Sequence, residues 1–579
     1  MKKFLLSLAL TAAVLALQAR PLDGIHSFHI FSTNDVHGCY FDSLYVGGKT
    51  QPSLLAVSAV VNEAREKYGS GHVLLFDVGD ALQGNNASYY FNFVDTVSRH
   101  VFVRMAEYMG YDALVLGNHD IETGHKVYDR VVSQLRVPYM AINAVRDGSD
   151  KSYFDSCAVL EKDGIKFLVI GYDNANIKGW LSPVLWSGMH FELIASRAQA
   201  DVDRLRRKYR PDVVIVAAHT GTGDGDGKSI ESEGLDLLNS LKGVDFLLCA
   251  HDHRPFIADK GDFWLINSGS HCRNVGHGTI DVEVRKGKVV SKHLSAENVA
   301  VDKKKTDETM RALFAGDYAA VKAFATRKVG ELRMPLVTRD AYRGMSDYIN
   351  LINTVCLSQT GAQISFAAPL TYNGYIKAGD VLYMDLATIY PFENQLFVIK
   401  MTGEQVRKAL EYSYDGWIKT WTGDGHVLKI QNRSDARNGS ESWSFIGRQY
   451  NFDSAAGINY TVDVTKPYGE RVSITSLAGG EPFDTSATYS VALSSYRASG
   501  GGKHLNEGAG IDTDHIDDIV IDKLPEIREL IYRYLQEHPD VTSELVGDKS
   551  LIGEWRFEPY DKVIPVINSD LHLLFPKYE

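Results

Sequence analysis

The sequence has few cysteines and less positive than negative charge. Its 579 residues include 5 cysteines, an odd number with no C-x-x-C pair, which argues against a disulfide scaffold and against thiolate-bound zinc. Lysine and arginine number 61 against 73 acidic residues, for a net charge of −12. A nucleic-acid polymer is therefore not an expected partner, because such a partner requires a basic face. A small anionic substrate remains compatible with this balance.

A hydrophobic run long enough to cross a membrane is also missing. The longest apolar run, residues 4–17, follows Lys2 and Lys3 and is followed by Ala19. A bilayer-spanning helix needs about 20 apolar residues, whereas a charged start, a short apolar run and a small residue are typical of a cleaved signal peptide. We therefore predict a signal peptide at residues 1–19 rather than a membrane anchor. The mature protein is then periplasmic or secreted, without membrane insertion.

The chain is too long for a single hydrophobic core. In residues 20–300, short apolar strands alternate with helical patterns, which predicts a layered α/β domain with helices on the faces of a sheet or of paired sheets. A lysine run at residues 303–305 begins a segment, 301–328, that we interpret as a solvated linker helix. Residues 329–579 mix strand and helix patterns and predict a second, α+β domain.

Polar clusters follow five of the apolar runs in the first domain. The side chains in them that can bind a metal are Asp35, His37, Asp80, Asn118, His219, His251 and His253. Any one of these could be an ordinary hydrogen-bonded loop residue. Open α/β sheets, however, bind ligands at the carboxyl ends of their strands, so the whole set predicts one metal centre. Nitrogen and oxygen ligands without sulfur suit zinc, manganese, cobalt or iron.

The motifs D-x-H, G-D-x-x-x-G, G-N-H-D and H-x-H resemble those of the calcineurin-type metallophosphoesterases, with Ala250 where a glycine is usual. The resemblance implies a four-layer sandwich of two sheets flanked by helices and two divalent metal ions. It implies Asp35, His37, Asp80 and His253 on one ion, and Asp80, Asn118, His219 and His251 on the other. Two such ions about 3.5–4 Å apart lower the pKa of a water from 15.7 towards about 7, so hydroxide is available for attack.

His119 lies next to the expected ligand Asn118. Because neighbouring residues in a turn point apart, we expect His119 to face the substrate, where it stabilises the phosphoryl group or protonates the leaving oxygen. Asp120 is expected to orient its ring. The alternative is that His119 is a further metal ligand.

The second domain resembles the C-terminal domain of the secreted 5′-nucleotidase family. The resemblance is carried by residues 390–396, 400–413 and 457–472. It implies two aromatic rings that enclose a nucleobase, and the matching positions are Phe452 and Tyr496. The neighbouring Gly500 and Gly501 are expected to let the backbone approach the ligand. The alternative for Phe452 is an ordinary core residue.

The family has several branches. This chain lacks the glycine run and arginine of the 5′-nucleotidases at residues 365–370, and Lys503 follows the glycines where an acidic residue is expected. Both departures weaken the 5′-nucleotidase interpretation. The segments 367–369, 377–386 and 495–502 resemble more closely the 2′,3′-cyclic-nucleotide 2′-phosphodiesterase/3′-nucleotidase branch, which we therefore favour. A 5′-nucleotidase, a UDP-sugar or sulfur-ester hydrolase, and a non-catalytic nucleotide-binding surface protein are the alternatives.

Overall fold

The computed structural model describes residues 21–43, 45–46, 49–392, 394–433 and 442–576. These form two compact units. The first comprises the chain up to residue 324 without residues 179–181, and the second comprises 179–181 and residues 325–579. The predicted signal peptide, residues 1–19, lies outside the described residues. Within the described residues, no helix is both long and apolar enough to cross a membrane.

The first unit is built on two six-stranded sheets. In spatial order, the first sheet contains Lys288–Ala300, Asn274–Arg285, Gly24–Thr33, Val73–Asp77, Ala113–Val115 and Tyr139–Met140. The second contains Pro255–Asp259, Trp264–Ser268, Phe246–Cys249, Val213–Ala218, Ile165–Tyr172 and Cys157–Lys162. Four neighbouring strands in each sheet run parallel, so their carboxyl ends share one edge.

Apolar side chains fill the space between the two sheets. Phe28 and Phe76 of the first sheet belong to the same buried cluster as Phe167 and Ile215 of the second. Full burial of each such side chain contributes roughly 1.5–3 kcal/mol. The opposite face of the second sheet packs on helices, which are Ile194–Tyr209 and Gly234–Ser240. The other main helices of this unit are Leu54–Tyr68, Val101–Met109, Asn118–Glu122 and His125–Gln134. The predicted four-layer α/β sandwich is confirmed.

The segment at 301–328 differs from the solvated linker helix that the sequence suggests. It forms two helices, Glu308–Leu313 and Ala315–Ala325. Asp307 caps the first by accepting a hydrogen bond from the Met310 amide at 2.9 Å, and it also accepts one from the Ser58 hydroxyl at 2.8 Å. The contact with Ser58 holds the start of the segment against the helix Leu54–Tyr68. The lysine run at 303–305 did not indicate this contact.

The second unit contains a five-stranded sheet and several smaller ones. The five strands, in spatial order, are Ser454–Ala456, Ile364–Ala367, Thr488–Ser494, Gln395–Thr402 and Val520–Glu526. One three-stranded sheet has Val472–Leu477, Ile458–Asp463 and Trp555–Glu558, and the other has Gly379–Leu382, Lys328–Leu332 and Asp540–Val541. The main helices are Asp347–Thr360, Gly403–Trp417, Ile527–Glu537 and Tyr560–Leu574. A large aromatic core joins these elements, as expected for an α+β domain.

Asp570 anchors the last helix, Tyr560–Leu574, to a neighbouring loop. Its buried carboxylate accepts hydrogen bonds from the amides of Val427 and Leu428, both at 2.9 Å. Asp570→Ala leaves two buried donors unsatisfied, so we expect the free energy of unfolding to fall by about 2–4 kcal/mol in urea titrations. Asn568→Ala, at an exposed position of the same helix, should change it by about 0.5 kcal/mol or less. Equal losses in the two variants would contradict this assignment.

Candidate metal centre

The loops after five parallel strands bring the predicted ligands together. Gly24–Thr33 leads to Asp35 and His37, Val73–Asp77 to Asp80, Ala113–Val115 to Asn118, Val213–Ala218 to His219, and Phe246–Cys249 to His251 and His253. Six of these side chains form two groups. One group is Asp35, His37 and His253, the other is Asp80, His219 and His251, and the ligand atoms within each group lie within 4.8 Å of one another.

Short distances connect the members of the two groups. The Nε2 atoms of His37 and His253 are 2.9 Å apart. His219 Nε2 lies 3.1 Å from Asp80 Oδ2 and 4.0 Å from Asp35 Oδ1, so His219 connects the two groups. Asn118 joins the second group through its Oδ1 atom, 2.9 Å from His251 Nδ1. All seven predicted ligands therefore occupy one small region.

The backbone at five of these positions is left-handed. The φ angles are 48° at Asp35, 48° at His37, 59° at Asp80, 73° at His251 and 58° at His253. Such a conformation costs of the order of 1–3 kcal/mol for a residue other than glycine, and it clusters at functional sites. The surrounding structure must therefore impose it.

Hydrogen bonds between the loops impose this conformation. The Asp35 amide donates to the Gly79 carbonyl and the His37 amide donates to the Asp80 carbonyl, both at 2.9 Å. The first two ligand loops are thereby joined side by side. The third is attached through the His251 amide, which donates to Asp35 Oδ2 at 2.9 Å.

Two buried atoms at the centre lack a hydrogen-bond partner. They are Asp35 Oδ1 and His219 Nε2. His219 Nδ1 donates to the Val78 carbonyl at 2.7 Å and His37 Nδ1 to the Gln83 carbonyl at 3.1 Å. In this tautomer each ring presents the lone pair of Nε2 to the centre, which is the arrangement found in metal-binding histidines. The residues present therefore fit divalent metal ions.

The ionisation of the histidines agrees with this fit. Burial lowers the pKa of His37 to about 3 and that of His251 to about 4, so both rings are neutral at pH 7, as metal ligands must be. Burial also acts to lower the pKa of His219, but the charges of Asp80 and Asp35 outweigh it and raise that pKa well above its usual value. A bound cation would replace the proton that otherwise balances these carboxylates.

His119 lies at the border of the centre. Its amide donates to Asp80 Oδ1 at 2.8 Å, and its Nδ1 lies 2.5 Å from Glu122 Oε2. The ring centroid is 5.4 Å from that of His37, and the side chain is 34% exposed. Burial acts to lower the His119 pKa, but Asp80 and Glu122 together raise it to about 10. An imidazole paired with a carboxylate therefore stands beside the predicted ligands.

Asp120 does not orient His119, and that prediction is wrong. Its buried carboxylate accepts hydrogen bonds from four backbone amides, those of Asp80, Ala81, Leu82 and Gly117, at 2.8–3.0 Å. Glu122 performs the orienting role instead. The sequence contained a usable signal, because residues three apart on the helix Asn118–Glu122 lie on the same face.

His271 is a further residue that the sequence patterns did not indicate. Its ring centroid lies 5.2 Å from that of His37 and 5.7 Å from that of His253. Its amide donates to the Asp35 carbonyl at 2.8 Å. His271 follows the parallel strand Trp264–Ser268 by three residues, so its position after a strand end was the signal that could have identified it.

The predicted aromatic pair of the second unit needs one correction. Phe452 is 1% exposed, and its ring stacks on Trp417 with centroids 5.3 Å apart. It is a core residue, the alternative given above, and cannot stack on a base. Tyr450, two residues earlier, is half-buried, and its ring centroid lies 6.5 Å from that of Tyr496. Phe392 is 37% exposed, and its ring centroid lies 6.1 Å from that of Tyr450.

The glycine run packs against Tyr496. A Cβ atom at Gly501 would lie 2.4 Å from the Tyr496 ring, and Gly500 has a φ of 87°. A side chain at position 501 would therefore displace the ring. That the two glycines contact a ligand stays a prediction.

Comparison with known proteins gives matches over both units. The family model described as calcineurin-like phosphoesterase matches residues 28–255, and that of the 5′-nucleotidase C-terminal domain matches residues 325–507. The 2′,3′-cyclic-nucleotide 2′-phosphodiesterase/3′-nucleotidase of Haemophilus influenzae is 24% identical, over 92% of this chain and 87% of that protein. Protein UshA of Yersinia enterocolitica is 25% identical, over 70% and 81%.

A solved structure shares the fold over most of the chain. It is that of a putative 5′-nucleotidase from Staphylococcus aureus in complex with α-ketoglutarate, with a TM-score of 0.73 at 20% identity, covering 92% of this chain and 100% of that one. The resemblance inferred from the strand-end motifs is thus confirmed. The chain therefore carries a calcineurin-like phosphoesterase domain and, after it, a 5′-nucleotidase C-terminal domain.

Proposed function

We propose that this protein is an exported dimetal phosphoesterase that hydrolyses nucleotides, with 2′,3′-cyclic and 3′-nucleotides as its preferred substrates. The convergence of two ligand groups on His219 and Asp80, with His119 and its partner Glu122 beside them, carries the proposal. Relatives named 2′,3′-cyclic-nucleotide 2′-phosphodiesterase/3′-nucleotidase support the substrate class. The segment 1–19, with its signal-peptide pattern, supports export.

Seven residues of the first unit are the proposed ligands of two divalent ions. One ion is assigned to Asp35, His37 and His253, the other to Asn118, His219 and His251, and Asp80 is assigned to both. When bound, such ions supply positive charge for the phosphoryl group and activate water as a nucleophile at neutral pH. Their identity is open among zinc, manganese, cobalt and iron.

His119 is the proposed proton donor. Glu122 accepts from Nδ1 and so turns Nε2 away from itself. Nε2–H then donates to a phosphoryl oxygen or to the departing sugar oxygen, and a positioned acid of this kind typically contributes 10²–10⁴-fold in rate, on the order of 3–5 kcal/mol. The carboxylate of Glu122 stabilises the cationic ring before transfer.

Tyr450 and Tyr496 are the proposed base-binding pair. Both rings are half-buried and adjacent, whereas Phe452 is in the core. Stacking on an aromatic ring contributes about 1–3 kcal/mol per base and tolerates any base. The backbone at Gly500 and Gly501 is proposed to lie along the ligand.

A 5′-nucleotidase is the second candidate. The putative 5′-nucleotidase from Staphylococcus aureus shares the fold over 92% of the chain. Against it, residues 365–367 lie in the buried strand Ile364–Ala367 and contain no cationic side chain for a terminal phosphate. The non-catalytic alternative predicts no turnover of any phosphoester.

A substrate panel tests the reaction class. With the purified mature chain, we expect phosphate release or ring opening from 2′,3′-cyclic AMP and 3′-AMP at rates at least tenfold above 5′-AMP. EDTA should abolish all three activities and a divalent ion should restore them, because the ions activate the nucleophile. Faster hydrolysis of 5′-AMP would favour the second candidate, and activity that survives metal removal would refute the dimetal proposal.

Variants of His119 and Glu122 test the proton donor. We expect His119→Asn to reduce kcat by about 10²–10⁴-fold and Glu122→Gln to reduce it less, because Glu122 acts through the ring. Metal content, measured by plasma mass spectrometry, should stay at the wild-type value. His125→Asn is the matched control, since His125 pairs with Asp129 at 3.0 Å outside the centre. Metal loss in His119→Asn would instead identify His119 as a ligand.

Substitutions of the aromatic residues test the base site. We expect Tyr450→Ala and Tyr496→Ala to raise KM for 2′,3′-cyclic AMP by roughly 5–100-fold, which corresponds to the loss of one stacking contact. KM for bis(p-nitrophenyl) phosphate, which has no base, should rise much less. Phe452→Ala should mainly lower stability, by about 3–5 kcal/mol. Equal KM increases on both substrates would refute base stacking.

A further inference from the structure

We infer that Arg497 is a positioning residue, which holds the turn of Tyr450 and the ring of Tyr496 next to each other at the proposed base site. The inference rests on the proposed nucleotide function and deepens it. Arg497 follows Tyr496 directly in the short helix Ser495–Ala498, and it is almost fully buried. It contacts the loop of Tyr450 as well as the glycine run.

The guanidinium group of Arg497 uses every donor that it has. An arginine side chain carries five N–H groups. The five bonds are Nε to Asp453 Oδ2 at 2.7 Å, Nη2 to Asp453 Oδ1 at 2.8 Å, Nη2 to the Tyr450 carbonyl at 2.9 Å, Nη1 to Asn451 Oδ1 at 3.0 Å and Nη1 to the Gly501 carbonyl at 2.7 Å. The group is thus fully saturated by the protein and does not bind substrate itself.

Arg497 thereby contacts the surroundings of both aromatic residues, Tyr450 and Tyr496. The Tyr450 carbonyl and the Asn451 side chain belong to the turn Gln449–Asn451, which carries the Tyr450 ring. The Tyr496 ring lies over the guanidinium, with the Arg497 Cζ atom 5.2 Å from the ring centroid. One cation therefore contacts the surroundings of two rings, those of Tyr450 and Tyr496, which lie far apart in the chain.

The carboxylate of Asp453 balances the charge of the buried Arg497 side chain. The side chains of Arg497 and Asp453 are 4% and 5% exposed. A buried ion pair with two parallel bonds and no unsatisfied donor is geometrically specific, because the planar fork fits the carboxylate in one orientation. This fixes the plane of the guanidinium and, with it, the direction of the bonds to the Tyr450 turn.

Gly502, which follows Gly500 and Gly501, leaves room for the guanidinium group of Arg497. A Cβ atom at Gly502 would lie 2.2 Å from Arg497 Nη1 and 2.6 Å from Asn451 Oδ1, and Gly502 has a φ of 68°. Any side chain at this position would push the guanidinium out of its bonds. The glycine run therefore has a function within the protein besides the one proposed for Gly500 and Gly501.

Lysine cannot reproduce these contacts. It offers three donors on a single nitrogen and has no planar fork. Arg497→Lys keeps the charge beside Asp453 but loses bonds to the Tyr450 turn or to Gly501. The rings should then lose their common geometry while the domain stays folded, which separates a positioning role from a purely structural one.

The experiment compares two buried arginines of the same domain. Arg471, 3% exposed, donates to Asp415 at 2.9 Å and to Thr420 at 2.9 Å, and it has no bond to the Tyr450 turn or to Tyr496. Wild type, Arg497→Lys and Arg471→Lys are assayed in the full mature chain with 2′,3′-cyclic AMP and with bis(p-nitrophenyl) phosphate. Thermal melting is recorded for each.

We expect Arg497→Lys to raise the ratio of the two KM values, nucleotide over aryl diester, by about tenfold, within the range that loss of stacking produces. Arg471→Lys should change this ratio by less than twofold, even if its melting temperature falls as far. An unchanged ratio in Arg497→Lys, or equal changes in both variants, would overturn the inference. If Arg497→Lys fails to fold, Gly502→Ala replaces it, with the same expected ratio and the same refuting result.

Two outcomes separate this inference from the proposed function. If wild type turns over nucleotides and Tyr450→Ala raises KM but Arg497→Lys does not, only the positioning role fails. If wild type turns over the aryl diester but shows no dependence on Tyr450 or Tyr496 with any nucleotide, the base site fails, and the role of Arg497 fails with it.

Discussion

The four hydrogen bonds that Asp120 accepts are the constraint on which the metal centre depends. They join the amides of Gly117, Asp80, Ala81 and Leu82 to one buried carboxylate. The loop that carries Asp80 and the turn that carries Asn118 are thereby fixed to each other before any ion binds. Desolvation raises the pKa of Asp120 to about 6, against the lowering effect of these amides. Because both of its oxygens accept amide hydrogen bonds, this arrangement favours the ionised carboxylate.

From this constraint the rest of the site follows in steps. With the Asp80 loop fixed, the carbonyl oxygens of Gly79 and Asp80 accept hydrogen bonds from the amides of Asp35 and His37. These bonds impose the left-handed backbone at Asp35 and His37. Asp35 in turn accepts the His251 amide, which orders the last ligand loop. Each loop thus depends on the one before it, and the ligand atoms are placed by hydrogen bonds that backbone amides donate to carboxylates and carbonyls of the neighbouring loops.

Much of this could be predicted from the sequence. Buried parallel strands appear as short apolar runs, and the polar residues that follow them lie at one edge of the sheets, so the seven proposed ligands could be selected without coordinates. The layered α/β architecture of the first domain also followed from the alternation of strands and helices, and the four-layer arrangement was implied by the family resemblance of its motifs. Such patterns are local and repeat regularly along the chain, which is why they can be read directly.

Two of the errors share one physical cause, which is that side-chain direction depends on local geometry, and the third arises from a long-range contact. Asp120 and Glu122 are both acidic neighbours of His119, and only the helical turn from Asn118 decides which of them reaches the ring. Phe452 and Tyr450 are two residues apart, and only the short turn before Phe452 decides which ring enters the core. The helices at 308–325 pack on the first unit through Asp307, a contact between residues about 250 positions apart. No pattern in the sequence encodes a partner at that distance.

The left-handed conformation of five ligands has a consequence for how this centre evolves. At Asp35, His37, Asp80, His251 and His253, a glycine would relieve backbone strain of the order of 1–3 kcal/mol per residue while removing a ligand. Substitutions that increase stability at these positions therefore reduce activity. Selection for activity is what retains the strained side chains. A homologue with glycine at these positions would be more stable but would lack metal ligands. The residue type at these turns therefore indicates whether a related protein can still be an enzyme.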